Sequence, residues 1–257
     1  RSFSCSSSCT CSHSPPPSPS LSPAATSLAT TPTIARRPLA IVGTDTDAGK
    51  TIVSTALAAY WAKYGSASDV ALVKPVQSGV GDIERYGEIF GETIETANSI
   101  YLRDPLAPPI AAERQGVDID LGIVWRDLQA IIQRRPRTII EWLGGLGSPV
   151  TWELTVADLV RDWEMSALLV VPVRLGSISQ VVACAALARE AKAKITGIVL
   201  NCVEPMDAET CELLTPIAAI ERLTYLPVLG CIPFLEDVRD RDQLIAAASD
   251  LQLEAIG

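Results

Sequence analysis

Histidine is almost missing from this chain: the only one, His13, lies in an N-terminal stretch unlike everything after it. From residue 38 to 257 there is no imidazole, which excludes a histidine metal site, a Ser-His-Asp triad and a histidine general base for that part. No apolar run approaches the roughly 18 residues that a membrane-spanning helix needs. Acidic residues are absent before Asp45, yet from there on 30 acidic face 18 basic residues, so a formal charge of -9 for the chain conceals -12 for its larger part. Such a field repels nucleic acid and anionic membrane surfaces, so a bound phosphate must be held locally by backbone donors or a few placed cations. Cysteines number seven, with Cys5, Cys9 and Cys11 near the N-terminus. The other four, Cys184, Cys202, Cys211 and Cys231, have no paired metal-ligand spacing and mostly apolar neighbours. They read as buried free thiols of a reducing, cytoplasmic setting.

Residues 1–37 hold 11 Ser and 6 Pro, and their only charges are Arg1, Arg36 and Arg37. That composition cannot bury enough apolar surface to offset chain ordering, so a disordered leader is expected. Its lack of acidic residues is shared with organelle transit peptides. Amphipathic periodicity, regular arginines and a starting Met are missing, however, and an extraneous upstream stretch is preferred to a targeting role. About 220 residues remain, enough to bury the core of one α/β domain over 38–257.

In that part short apolar runs alternate with segments of helical period. Strands are expected at 39–43, 70–74, 138–141, 167–173, 195–201 and 228–232, and helices near 50–63, 119–134, 154–164, 177–191, 207–223 and 240–254. "ALLVVPV" and "ITGIVLN" are apolar almost throughout, as strands covered on both faces should be, so the pattern predicts a parallel sheet between two helical layers. Residues 79–118 are less periodic and read as an excursion from the sheet toward a ligand.

The strongest local feature is "LAIVGTDTDAGKTIVSTALAAYWAKYG", a strand, a polar turn and a helix starting near Lys50. Backbone N–H groups at such a turn cradle phosphate, Lys50 adds a mobile cation, and the Thr51 hydroxyl suits Mg2+. Five residues rather than the usual four separate Gly43 from Gly49. Asp45 and Asp47 would repel a triphosphate unless a cation lies between; Asp45 could instead cap loop amides, while Asp47 is expected to face a second substrate. Lys74 and Ser78 of "ALVKPVQSG" leave the sheet at the same carboxyl edge, where open α/β sheets place ligands. Asp82, in a Gly-rich loop, and Glu141, at the end of an apolar strand, are candidate Mg2+ ligands. Trp142 and Trp152 beside that strand read as packing residues in preference to ligand contacts, and Gly144 and Gly145 as room for the ligand.

"GTDTDAGKT", "KPVQSG", "PLAPPIAAE", "GGLGSPV", "VPVRLGSISQ", "GIVLN" and "LGCIPFL" together, in this order, resemble dethiobiotin synthetase, an enzyme of biotin synthesis. The resemblance spans about 39 to 240. It implies a P-loop NTPase-like, three-layer α/β fold with a mostly parallel, seven-stranded sheet, working as a homodimer. The implied reaction joins 7,8-diaminononanoate and CO2 into a cyclic urea while MgATP is split to ADP and phosphate, through a carbamate that attacks the γ-phosphate and ring closure by the second amine with loss of phosphate. By motif match, Lys50 would bridge the β- and γ-phosphates, within a cradle of Asp45, Thr46, Asp47, Ala48, Gly49 and Thr51. Lys74 and Ser78 would touch the carbamate and reacting oxygens, Thr46 phosphate or substrate, and Asp47 the diamine. Thr51, Asp82 and Glu141 would organise Mg2+. Asn201 would read adenine, with Ile232, Pro233 and Phe234 completing the base pocket; an Asn capping a strand end is the equal alternative. Gly176, Ser177 and Ile178 at a helix start would receive the substrate carboxylate across the dimer interface.

Three departures carry expectations of their own. Where the family often has Gly, this chain has Trp142, and a large indole beside the phosphates would clash with or redirect the loop. Ala107, Pro108 and Pro109 replace a common "SPH", removing a polar contact, and the leader has no counterpart. Two rivals stand beside the resemblance. Partition-type ATPases and the amide-forming enzymes of cobalamin synthesis usually carry a second lysine early in the loop, where this chain has "TDTDA", and the latter commonly add a Cys/His glutaminase. A non-catalytic nucleotide-binding module would have Trp142 as its only support.

Overall fold

The structure, a computed structural model, describes residues 38–255. The leader expected to be disordered, with its three cysteines and His13, lies outside the described residues. Seven strands, β1 (Leu39–Gly43), β2 (Val70–Ser78), β3 (Glu95–Leu102), β4 (Arg137–Glu141), β5 (Ser166–Pro172), β6 (Lys194–Asn201) and β7 (Val228–Ile232), form one sheet in the order β3-β2-β4-β1-β5-β6-β7. Every pairing is parallel. The helices are α1 (Lys50–Tyr64), α2 (Asp82–Phe90), α3 (Pro108–Gln115), α4 (Leu121–Arg134), α5 (Val156–Asp162), α6 (Ser177–Ala191), α7 (Ala208–Leu214), α8 (Ile217–Thr224) and α9 (Arg241–Ser249). None of the described helices is long and apolar enough to cross a membrane.

Two cores follow from the alternation of side chains along each strand. On one face Leu39, Ile41, Leu72, Ile139, Leu168 and Val170 pack against α1, α2 and α9. On the other, Ala40, Val42, Val73, Ile140, Leu169 and Val171 pack against α4, α5, α6 and α8. All five residues of β1 are buried, as its central place in a doubly covered sheet requires.

The expected excursion at 79–118 is instead α2, the edge strand β3 and α3. β3 pairs with β2 from Ala71↔Glu95 to Ser78↔Leu102. Its sequence, ETANSIYL, is mostly half-buried, because an edge strand needs no apolar run. The single helix expected at 207–223 is broken into α7 and α8 at Pro216, which lacks an N–H and turns Thr215 out of the helical region (φ -138°, ψ 62°). The four described cysteines are free and half-buried rather than buried.

Candidate active site

The carboxyl ends of β1, β2 and β4 open on a cavity of about 730 Å³. Its floor is the turn from β1 into α1. Gly49 sits at φ +89°, and a Cβ there would fall 2.0 Å from Asn201 Nδ2, so the position admits only glycine. α1 then starts at Lys50 without a side-chain cap, which leaves first-turn amides for an anion. The buried Lys50 ammonium donates to the carbonyls of Asp45 (2.9 Å) and Thr46 (3.1 Å). Burial, then the neighbouring Lys74, lowers its pKa to about 8.

Opposite the turn, β2, the end of β4 and a helix start build a charged cluster; β2 runs on to Ser78, so Lys74, expected at the strand exit, lies inside the sheet and pairs in register with Asn98 of β3. Lys74 Nζ lies 3.0 Å from Glu141 Oε1 and 2.6 Å from Asp82 Oδ2, with Lys74 and Glu141 both buried. Burial works against the Lys74 charge, but the two carboxylates outweigh it and hold the ammonium above its usual range. Asp82 is half-buried, which works against its charge, yet Lys74 keeps it below the ordinary carboxyl range. Thr51 Oγ1 is 2.9 Å from Asp82 Oδ1 and 2.8 Å from Glu141 Oε1. One hydroxyl proton cannot serve both carboxylates, so three hard oxygens converge with more acceptor than donor capacity. That donor set fits Mg2+, which takes carboxylates and hydroxyls.

The sequence reading missed Tyr86, which donates to Glu141 Oε2 at 2.5 Å from a fully buried position. Burial, then the Glu141 charge, pushes its phenol well above the usual range. Asp82 begins α2 and Tyr86 follows four residues later on the same helical face, a spacing that would have revealed the pair had α2 been recognised. Gln77 fixes the approach to α2 by donating to Gly79 and Glu84 and accepting from the Ile83 N–H. Arg85 and Ser148, also missed, line the cavity.

Thr46, Asp47, Gly49, Lys50, Thr51, Lys74, Ser78, Asp82 and Glu141 all line this one cavity. Ser78 Oγ is buried and finds no hydrogen-bond partner among the described residues, as a hydroxyl reserved for a ligand would be. Ala107 and Pro108 form the wall where the polar contact was expected to be lost, with Pro108 starting α3. Asp45 does not reach the cavity. It pairs with Arg174, a partner the sequence did not reveal. The Ala48 side chain is in the core, leaving only its backbone for a ligand.

Trp142 is a packing residue, as read, while the expected clash with the loop is absent. Alternation along β4 and its extension turns Glu141 to the cavity and Trp142 to the opposite face, where the indole is fully buried against Trp163 with ring centroids 5.6 Å apart. It neither lines the cavity nor crowds the loop. Trp152, read as packing, is instead 61% exposed and donates its indole N–H to Glu113 at 2.7 Å. Gly145 does not make room for a ligand so much as for the loop, since a Cβ there would meet the Thr44 carbonyl at 2.8 Å.

A second cavity, of about 170 Å³, lies across Gly49 between the ends of β6 and β7 and includes Ile52, Asn201, Cys202, Pro233 and Phe234. Asn201 is buried and donates to the Ala48 carbonyl at 3.2 Å, so it braces the turn as well as facing this pocket. Ile232 belongs to the core beneath and does not line it. Gly176, Ser177 and Ile178 stand at the start of α6, outside both cavities. Ser177 already donates its N–H to Arg174 (3.2 Å) and its hydroxyl to Pro172 (2.5 Å), both carbonyls.

Residues 37–242 match the AAA domain family. Among solved structures, a ParA family ATPase from Chlorobium tepidum superposes with a TM-score of 0.51 at 15% identity, covering 86% of this chain and 96% of that one. MinD of Aquifex aeolicus gives 0.51 at 13% identity over 82% of this chain and 86% of that one. At those identities the likeness extends to the fold alone. Sequence relatives are far nearer. An ATP-dependent dethiobiotin synthetase of Gloeothece citriformis is 47% identical over 220 residues, 85% of this chain and 97% of the relative. One from Crocosphaera subtropica is 47% identical over 85% of this chain and 98% of its own length. With nearly half the residues shared along almost the whole of those relatives, on a parallel sheet whose edge carries the loop, the lysines and the carboxylates, this chain belongs to the dethiobiotin synthetase family of ATP-dependent ligases.

Proposed function

We propose that the protein closes a cyclic urea, joining 7,8-diaminononanoate and CO2 into dethiobiotin while ATP is split to ADP and phosphate. The observation that supports this most is the convergence of two buried lysines, two carboxylates and the Ser78 hydroxyl on one cavity. A carbamate formed on one amine is already anionic and nucleophilic. It needs alignment and charge neutralisation rather than a strong base when its oxygen attacks the γ-phosphorus and ADP departs. The second amine then attacks the carbonyl carbon of the carbamic-phosphoric anhydride, and phosphate leaves.

Lys50 releases its loop carbonyls to bridge the β- and γ-phosphates, and Lys74 meets the carbamate and the transferring oxygens. Thr46 donates to phosphate or substrate, Asp47 faces the diamine, and the unpaired Ser78 hydroxyl holds the carbamate. The amides of the turn from Asp45 to Thr51 cradle the phosphates. Thr51, Asp82 and Glu141 would hold Mg2+, which when bound neutralises phosphate charge. Asn201, Pro233 and Phe234 take the adenine. Gly176 and Ile178 receive the substrate carboxylate from a second copy in a homodimer, with Ser177 as part of that turn. Residues 38–257 form the ATP-binding domain, and 1–37 take no part in the chemistry.

The test is product analysis with the diamine, bicarbonate and MgATP. A cyclic urea with diamine-dependent ADP is expected. Folded protein that yields neither sinks the reading.

A further inference from the structure

Spacings of nine and twenty residues, from Cys202 to Cys211 to Cys231, suggest no metal site in the sequence. The fold brings the three together. Cys231 lies on β7 opposite Leu200 of β6, and Cys202, just past β6, donates its N–H to the Ile232 carbonyl at 2.9 Å, so both side chains share the face that α7 covers. α7, capped by Asp207, brings Cys211 over them. Cys231 Sγ is 3.6 Å from Cys202 Sγ and 3.8 Å from Cys211 Sγ, and all three sulfurs lie within 4.8 Å of one another. Among the described residues no other three His, Cys, Asp or Glu ligand atoms gather this closely.

Two thiolates bound at about 2.3 Å to a tetrahedral ion stand about 3.8 Å apart, close to the separations of Cys231 from each of the other two, and the third pair lies within 4.8 Å. A disulfide would require them to close to about 2.0 Å. All three are half-buried, which leaves an open side for water as a fourth ligand. We propose that Cys202, Cys211 and Cys231 form a site for one thiophilic d10 cation, of the Zn2+ class, that ties the ends of β6 and β7 to α7. Cys202 also lines the smaller cavity beside Asn201, so the ion fixes the walls of that pocket from behind. This site is independent of the reaction proposed above, and its softness separates it from the all-oxygen set of Thr51, Asp82 and Glu141.

The experiment uses the reduced full chain with Cys5→Ser, Cys9→Ser, Cys11→Ser and His13→Ala, so that the leader supplies no ligands, titrated with Co2+ and then Zn2+. Expected are a thiolate-to-cobalt charge-transfer band that saturates at one equivalent and is bleached by Zn2+. The band persists in Cys184→Ser and is lost in Cys231→Ser. Oxygen ligation at the other site produces no such band. Should Cys231→Ser fail to fold, alkylation mapping of the otherwise unchanged chain decides: Zn2+ is expected to protect Cys202, Cys211 and Cys231 and leave Cys184 as reactive as before. A folded protein without the charge-transfer band, a band undiminished in folded Cys231→Ser, or alkylation indifferent to Zn2+ overturns the proposal.

Discussion

Within β2 and at the end of β4 the sheet buries Lys74 and Glu141 in direct contact, whereas at the ends of β6 and β7 it sets one amide, Asn201, beside Pro233, Phe234 and sulfur. The charged end is held by mutual dependence. Each buried charge is tolerable only because the next one is present, so Lys74, Asp82, Glu141, Thr51 and Tyr86 stand or fall as a network. At the other end Asn201 is satisfied by a backbone carbonyl and the remaining contacts are apolar, so single losses there should stay local. The contrast matches the chemistry proposed for each end, charge neutralisation at one and recognition of a flat base at the other.

The sharpest test of that contrast is Lys74→Ala. Removing one partner of a buried ion pair costs roughly 3–5 kcal/mol, so the variant is expected to keep its fold with a clearly lower Tm. Turnover should fall by about 10³-fold, as for loss of a preorganised transition-state contact. Lys50→Ala is expected to lose about 10²–10³ in turnover with Tm nearly unchanged, because Lys50 bonds only to loop carbonyls. Equal Tm losses in the two variants would erase the distinction between network and loop.

Trp142→Gly probes the far face of the same strand extension. Emptying a fully buried indole site should cost about 3–5 kcal/mol in denaturant unfolding, without raising turnover. A faster enzyme would mean that the indole obstructs the loop after all. At the apolar end, Asn201→Ala is expected to raise KM for ATP by roughly fivefold, the worth of about 1 kcal/mol, with kcat little changed. A large loss of kcat would bring Asn201 into the charged network.

The mildest perturbation needs no mutation. In nucleotide-free protein, Lys50 should acylate with a midpoint near pH 8, while Lys74, held above its usual range, stays charged well beyond that. The sign follows from the shift: below pH 8 Lys50 is protonated and fit to meet phosphate, and above it the cation is progressively lost. Labelling of both lysines at one midpoint would contradict the paired and unpaired surroundings described for them.

Much of the site was readable because a phosphate turn is local. Strand, turn and helix are contiguous from 39 to 64, and the end of "KPVQSG" marks a second strand exit at the same edge, although β2 carries Lys74 inside the sheet and ends only at Ser78. Asp82 and Glu141 were found for the same reason, as acids where an apolar or Gly-rich run stops. Tyr86 was not, since its meaning depends on α2, and α2 lies in a stretch whose neighbour β3 is too polar to announce itself. Arg174 was missed because its partner Asp45 lies 129 residues away.

The sequence by itself determined the parallel α/β class, the strand-turn-helix of 39–64, the lack of any imidazole from residue 38 on and the family, because each depends on short-range order or on composition. Only the tertiary structure decided that Trp142 turns away from the cavity its neighbour Glu141 lines, that Ile232 lies beneath the smaller cavity, and that three unspaced cysteines meet. Those outcomes depend on the parity of a strand and on which elements pack against it, relations between residues far apart in the chain that no local pattern records.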